Sequence, residues 1–150
     1  IQHDDHLAHE AQNYQKFDDI LFEHWTGYNV VPPLHDPTPV GAVVPQFYGY
    51  YEAVDEKGKK IKADKRGRYL SPILLLEDCG KPIVVENLSI DDRQECAALL
   101  YRLHYAGWTH NSFYRRNILM QLGDISDWPI TRMNKSKPDR RFRLIDFGRA

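Results

Sequence analysis

Cysteine is scarce in these 150 residues, with Cys79 and Cys96 the only two. Two thiols cannot build the framework of bridges that holds small secreted domains together. Reduced thiols in an intracellular compartment, cytoplasmic or nuclear, are therefore the expectation. Long apolar runs are missing too. Runs such as Ile73-Leu74-Leu75-Leu76 fall far short of the roughly 20 residues that a bilayer-spanning helix needs. The first residues are acidic and histidine-rich rather than cationic and then apolar, so no export signal is expected. Charge of one sign is lacking as well: 20 Lys and Arg against 21 Asp and Glu leave a formal charge of -1. That balance gives no electrostatic ground for nucleic acid or an anionic membrane as a partner. There is no internal repeat and no low-complexity tract. What is present, 42% hydrophobic and 27% charged residues, suits one soluble globular domain with its own core.

Periodicity divides the chain into helical and extended parts. Leu7, Ala11, Tyr14, Leu21 and Trp25 recur at helical spacing, which predicts an amphipathic helix from about His6 to Trp25 with His6, Glu10 and Lys16 on its polar face. Gly27 to Gly41 holds four prolines and reads as a loop. Val43 to Tyr51 and Tyr69 to Leu76 are β-branched, aromatic or leucine-rich, and the charged segment between them carries Gly58 and Gly67. An antiparallel hairpin is the simplest arrangement. Glu77-Asp78-Cys79-Gly80-Lys81-Pro82 is a connector, broken by its Gly and Pro. A second helix follows, capped by Ser89 with Asp91 and Asp92 in its first turn, closed near Gly107, and carrying Ala97, Leu100, Leu103 and His104 on one face. Short extended pieces near Ile118 to Gln121 and Phe142 to Ile145 flank a basic insertion. The fold class is α+β.

Two stretches carry chemistry. His110-Asn111-Ser112-Phe113-Tyr114-Arg115-Arg116-Asn117 precedes an extended run ending in Ile145-Asp146-Phe147-Gly148. Ionised Asp146 is an acceptor-only carboxylate suited to a hard cation bridging phosphate oxygens, and Asn117 offers a neutral amide oxygen to the same kind of ion. The plainer reading leaves Asp146 capping a turn before Gly148 and Asn117 bonding local backbone. Together these stretches resemble the catalytic loop and metal-binding tripeptide of protein kinases, His-Arg-Asp-Leu-x-x-x-Asn followed by Asp-Phe-Gly. With Leu103-His104, Gly107, Arg116-Asn117-Ile118-Leu119 and Arg149, nearly the whole chain looks like the kinase-like domains abundant in basidiomycete fungi.

The resemblance implies a partial protein kinase-like fold. Residues 1–76 would be an incomplete small lobe of regulatory helix and β-hairpin, 77–81 the hinge, and 82–150 the first part of the helical large lobe, ending just after Asp-Phe-Gly. It implies ATP and Mg as cofactors, with Asn117 and Asp146 as metal ligands. The carbonyl of Glu77 and the backbone of Cys79 would face the adenine, Leu119 would lie beneath it and Leu76 at the back of the pocket. Glu10 takes the place of the helix glutamate that pairs with a phosphate-holding lysine; otherwise it is an exposed helix carboxylate. Tyr14, Phe47, His110 and Phe147 would stack as an apolar column joining the lobes, although each alone is also an ordinary core residue. His110 has a packing and backbone-bonding role and no acid-base role.

The chain departs from that pattern at the catalytic position. Ser112 stands where the family has the Asp that accepts the substrate's proton. General-base help is worth ~10²–10⁴ in rate, so phosphoryl transfer to a protein Ser or Thr is expected to be weak or absent. No Gly-rich loop or lysine-bearing strand precedes Glu10 and nothing follows Ala150, so the resemblance implies the middle of a longer domain, with a small-lobe strand edge open to a protein partner. One alternative is a non-catalytic pseudokinase or interaction module. Another is a small-molecule phosphotransferase of the aminoglycoside or choline kinase type, which shares the loop but keeps its Asp. Nucleotide is the expected ligand; neither nucleic acid nor membrane is.

His6 and Glu10, one turn apart beside His3 and His9, tempt a metal reading, but the spacing is not His-Glu-x-x-His and no further ligand is apparent, so a hydrated helix end is expected. Arg132, Lys135, Lys137, Arg140, Arg141 and Arg143 read as a solvated basic loop. Arg115 and Arg116 are either solvated charges or phosphate holders. Cys79 and Cys96 read as small buried apolar groups.

Overall fold

A computed structural model describes residues 2–23, 41–61, 70–123, 128, 130, 131 and 139–150. Helix α1 (Gln2–Lys16) leads into a 3-10 turn at Asp19–Leu21, and strands β1 (Phe47–Tyr51) and β2 (Ile73–Leu76) pair antiparallel. Strand β3 (Lys81–Pro82), a 3-10 turn at Val85–Asn87 and helix α2 (Ile90–Tyr105) follow, then a 3-10 turn at Arg115–Asn117 and strands β4 (Ile118–Leu122) and β5 (Arg140–Leu144). Among the described residues the fold is α+β, with one two-stranded and one three-stranded antiparallel sheet, the latter in the order β3-β4-β5.

The first helix ends earlier than the periodicity predicts. Phe17 N still bonds Asn13 O, but Asp18 turns extended and its carbonyl accepts Leu21 N to start the 3-10 turn. Two consecutive carboxylates, Asp18 and Asp19, oppose the negative end of a helix dipole, and Asp favours a helix start over its end. Leu21 stays in the core all the same, and its carbonyl receives Val43 N and Val44 N. Trp25 and almost all of the expected loop lie outside the described residues, as do Gly67 and Tyr69. Between β1 and β2 a small bridge, Val54 to Lys60, closes around Asp55, whose carboxylate accepts the amides of Lys57 and Lys59.

Helix α2 is capped as expected. Ser89 and Asp92 form a reciprocal capping box. At the other end Gly107 (φ 84) donates to His104 O and Trp108 N to Leu103 O, the paired bonds of a Schellman cap. Its buried residues are Asp91, Asp92, Glu95, Cys96, Leu99 and Leu103; of the expected face only Leu103 is buried, Leu100 is half-buried, and Ala97 and His104 are exposed. The inward turn is stabilised by charge: Arg140 Nε lies 2.9 Å from Asp92 Oδ1. Arg140, Arg141 and Arg143 belong to β5 and are not a solvated loop; Arg143 is buried, and burial lowers its pKa while the charge of Glu77 opposes that shift. Arg132, Lys135 and Lys137 lie outside the described residues.

One contiguous apolar core joins these elements, with Tyr14, Phe17, Leu21, Val43, Leu99, Leu103, Phe142, Leu144 and Phe147 among its members. Leu144 N donates to Val43 O, tying β5 to the segment that leads into β1. Both cysteines are free and buried. Among the described residues no helix is long and apolar enough to cross a membrane.

Candidate functional site

The site is built where α1 meets the segment after β5. Four polar side chains of α1, at helical spacing, contact residues 146–150. His6 Nε2 lies 3.0 Å from Asp146 Oδ1, His9 Nδ1 2.8 Å from Gly148 O, and Asn13 Nδ2 donates to Phe147 O at 2.7 Å. Glu10 Oε1 accepts Phe147 N at 3.2 Å. Such spacing puts four side chains on one stripe of a helix. Glu10 is buried rather than exposed, and the His6 end of the helix is docked on Asp146 rather than merely hydrated. Of the polar face expected for this helix, Lys16 is exposed.

Gly148 fits the same docking. A Cβ there would fall 2.1 Å from His6 Cε1, so only a residue without a side chain lets the imidazole lie against this backbone. Asp146 itself has φ 70, and Asn111 has φ 54. Asp and Asn tolerate this left-handed region better than most residues, at a cost of about 1–3 kcal/mol where the surroundings enforce it. Here they do: Ile145 N bonds Asn117 O, His110 Nε2 bonds Ile145 O at 2.9 Å, and Asn111 Nδ2 donates to Arg149 O at 2.8 Å.

The loop residues converge on the same carboxylate. Asn117 Nδ2 donates to Asp146 Oδ2 at 2.9 Å and to the Ser112 carbonyl at 2.8 Å, and Ser112 Oγ lies 3.4 Å from Asp146 Oδ2. Asp146 is thus surrounded by three donors, His6, Asn117 and Ser112. A cation shared by Asn117 and Asp146 needs the Asn117 amide oxygen, whereas in this arrangement the amide turns its nitrogen toward Asp146. Turning the amide over gives up the bonds to Ser112 O and Asp146 Oδ2, a net cost of about 2–4.5 kcal/mol that the bound ion would have to offset. The Asp146 carboxylate fits a hard cation as it stands.

Burial shapes the titrating groups nearby. Desolvation raises the pKa of Glu10, the Phe147 amide opposes that shift, and the charge of Asp146 adds to it. Desolvation lowers His110, with the Ile145 carbonyl opposing, so the ring stays neutral and donates from Nε2. Tyr14, buried beside Glu10, is pushed well above its usual value, first by desolvation.

Aromatic packing fixes the floor of the site. Tyr14 stacks on Phe47 with ring centroids 5.7 Å apart, Phe147 meets Tyr14 edge-on at 5.5 Å, and His110 lies 4.9 Å from Phe147. Phe17 adds an edge contact to Phe147 at 4.9 Å.

The connector residues form a separate group. Glu77 N donates to Gln46 O while Glu77 Oε2 accepts Gln46 N, and the Glu77 carbonyl faces Cys79 Sγ at 3.5 Å. Gly80 (φ 86) packs against β4 so closely that a Cβ would meet Met120 O at 2.3 Å. Leu119, half-buried, pairs with Pro82. A cavity of about 340 Å³ is lined by Tyr14, Asp19, Phe22, Glu23, Gln46 and Phe47; none of Glu77, Cys79, Leu119, Asn117 or Asp146 lines it. Arg116 lies over the Tyr114 ring at 4.7 Å.

Sequence reasoning singled out Glu10, Ser112, Asn117 and Asp146, and these four meet within one cluster. It left His6 and His9 to solvent and did not name Asn13, although their spacing with Glu10 was available as a signal. No family model, no curated protein and no solved structure matches this chain.

Proposed function

We propose that this chain is protein kinase-like, binds Mg-ATP at Asn117 and Asp146 and transfers phosphate slowly or not at all, so that it serves as a binding module. The observation that carries this reading is the manner in which Asp146-Phe147-Gly148 is held. Phe147 is fully buried between Tyr14, Phe17 and His110, and Glu10 takes its amide. Those contacts link the first helix, the loop histidine and the tripeptide through one aromatic column, the arrangement that the resemblance to kinases implies. Asp146, and Asn117 with its amide turned over, would hold the magnesium ion, which would supply positive charge against the phosphates. Ser112 would orient a hydroxyl near the phosphate but accept no proton at neutral pH, which removes the general-base contribution of ~10²–10⁴ in rate.

Isothermal titration of ATP with and without magnesium tests the binding half. Magnesium-dependent heat from the folded chain, absent in Asp146→Asn, is the expected result; no magnesium-dependent binding to a folded sample refutes it. The non-catalytic half fails if radiolabel moves from ATP to a protein acceptor at a rate that Asp146→Ala abolishes.

A further inference from the structure

We propose that His6, Glu10 and Asp146 form a binding site for a divalent transition-metal ion of the zinc class, one that loads without nucleotide. A ligand atom from each of the three residues lies within 4.8 Å of the other two, and His6 Nε2 and Asp146 Oδ1 are 3.0 Å apart. A tetrahedral zinc ion with bonds of about 2.0–2.1 Å places neighbouring ligand atoms about 3.3 Å apart, a spacing inside that range. Imidazole with two carboxylates suits zinc, whereas magnesium prefers oxygen ligands and several waters.

The frame around the three ligands is rigid. His6 and Glu10 are one turn apart on α1, so their side chains leave the same face. Gly148 admits the imidazole with no room for a side chain. Phe147 N holds one oxygen of Glu10, and Asn117 Nδ2 holds Asp146 Oδ2, the oxygen turned from His6. Such outer bonds orient metal ligands. His6 and Asp146 are about a third exposed, 39% and 31% for their side chains, which leaves an entry path and a fourth position for water. On loading, the proton on His6 Nε2 leaves to Nδ1 or solvent, and the neutral ring ligates through Nε2.

This inference goes beyond the nucleotide reading. It shares Asp146 with the proposed magnesium site, so the two ions would compete there, but His6 belongs to the zinc site alone.

Zinc titration of the full chain without nucleotide tests it, by calorimetry and by thermal melting. One zinc per chain and a melting point that rises with zinc are expected. His6→Gln, which can still donate to Asp146, should bind at least about tenfold more weakly, while His104→Gln, an exposed change on α2, should stay within about twofold. Magnesium-dependent ATP binding is measured separately on the unaltered chain, so failure of either reading leaves the other measurable. If His6→Gln fails to fold, ¹⁵N spectra of the unaltered protein decide, because zinc must shift the Nε2 resonance of His6. Equal affinity in a folded His6→Gln, no stoichiometric binding, or an unmoved His6 resonance overturns the proposal; binding that tracks His6 supports it.

Discussion

Replacing Asn117 by Asp changes polarity at nearly constant size, and the effect can be worked from the contacts. Asn117 is buried, and its amide nitrogen donates to Ser112 O at 2.8 Å and to Asp146 Oδ2 at 2.9 Å. A carboxylate donates neither bond. The neutral one is worth about 0.5–1.5 kcal/mol and the one to a charged acceptor about 1.5–3 kcal/mol. Two like charges about 4 Å apart repel by about 4 kcal/mol at an effective dielectric near 20. The sum has a ceiling, because the introduced carboxyl escapes by taking up a proton. Holding that proton at pH 7, against an unfolded pKa near 3.9, costs about 4 kcal/mol. The protonated group regains a donor toward Asp146 but not the one to Ser112 O.

Asn117→Asp should therefore lose about 5 kcal/mol at pH 7 and only about 1 kcal/mol near pH 4. The sign follows from proton binding. The folded variant keeps a proton that the unfolded chain releases above about pH 4, so its stability relative to the unaltered protein falls by about 1.4 kcal/mol per unit as pH rises through that window. Urea unfolding followed by far-ultraviolet circular dichroism, on both proteins at several pH values between 4.5 and 7.5, measures the difference. Where the variant is too weak to titrate with urea, the pH at which its helical signal disappears replaces the midpoint. A difference below about 1 kcal/mol at pH 7, or one that does not change with pH, would show that Asn117 does not donate to Asp146.

Two further outcomes check the frame around the site. Ser89→Ala removes the reciprocal bonds between Ser89 and Asp92, and should cost about 1 kcal/mol, a fall of about 2–4 °C in the melting point by calorimetry; an unchanged melting point contradicts the cap. Cys79 and Cys96 are each pushed up to about 12 by burial, so neither thiol should react with a disulfide reagent at pH 8 in the folded chain while both react in urea. Prompt reaction of either in the native state refutes that burial.

What was legible in the sequence was local. The cap of α2 needs only Ser89 and Asp92, three residues apart, and its end needs only Gly107, so both could be read without a partner in view. The antiparallel pairing of β1 and β2 follows from composition and the charged turn between them. The face of α2 could not be read in the same way, because Asp92 and Glu95 count as polar until β5 brings Arg140 against one of them. The polar stripe of α1 failed for a related reason. His6, His9, Glu10 and Asn13 find their partners at 146–150, and hydrophobic periodicity assigns such residues to water by default. Asn117 and Asp146 were found because a motif ties residue types to long-range geometry, which spacing alone does not.

Ser112 also bears on how Asp146 is held. With an acid at that position, the carboxylates at 112 and 146 would stand only a few ångströms apart, since Ser112 Oγ is already 3.4 Å from Asp146 Oδ2. Such a pair repels by several kcal/mol and is stable at neutral pH only when a cation or a proton sits between the two. With serine, three described side chains donate to Asp146, namely His6, Asn117 and the hydroxyl itself. The carboxylate can then be held in its strained φ 70 conformation by these donors, and the closed arrangement of the loop, the tripeptide and α1 does not depend on a bound ion. Serine at 112 thus leaves the closed arrangement independent of a bound ion, which suits the proposed binding role.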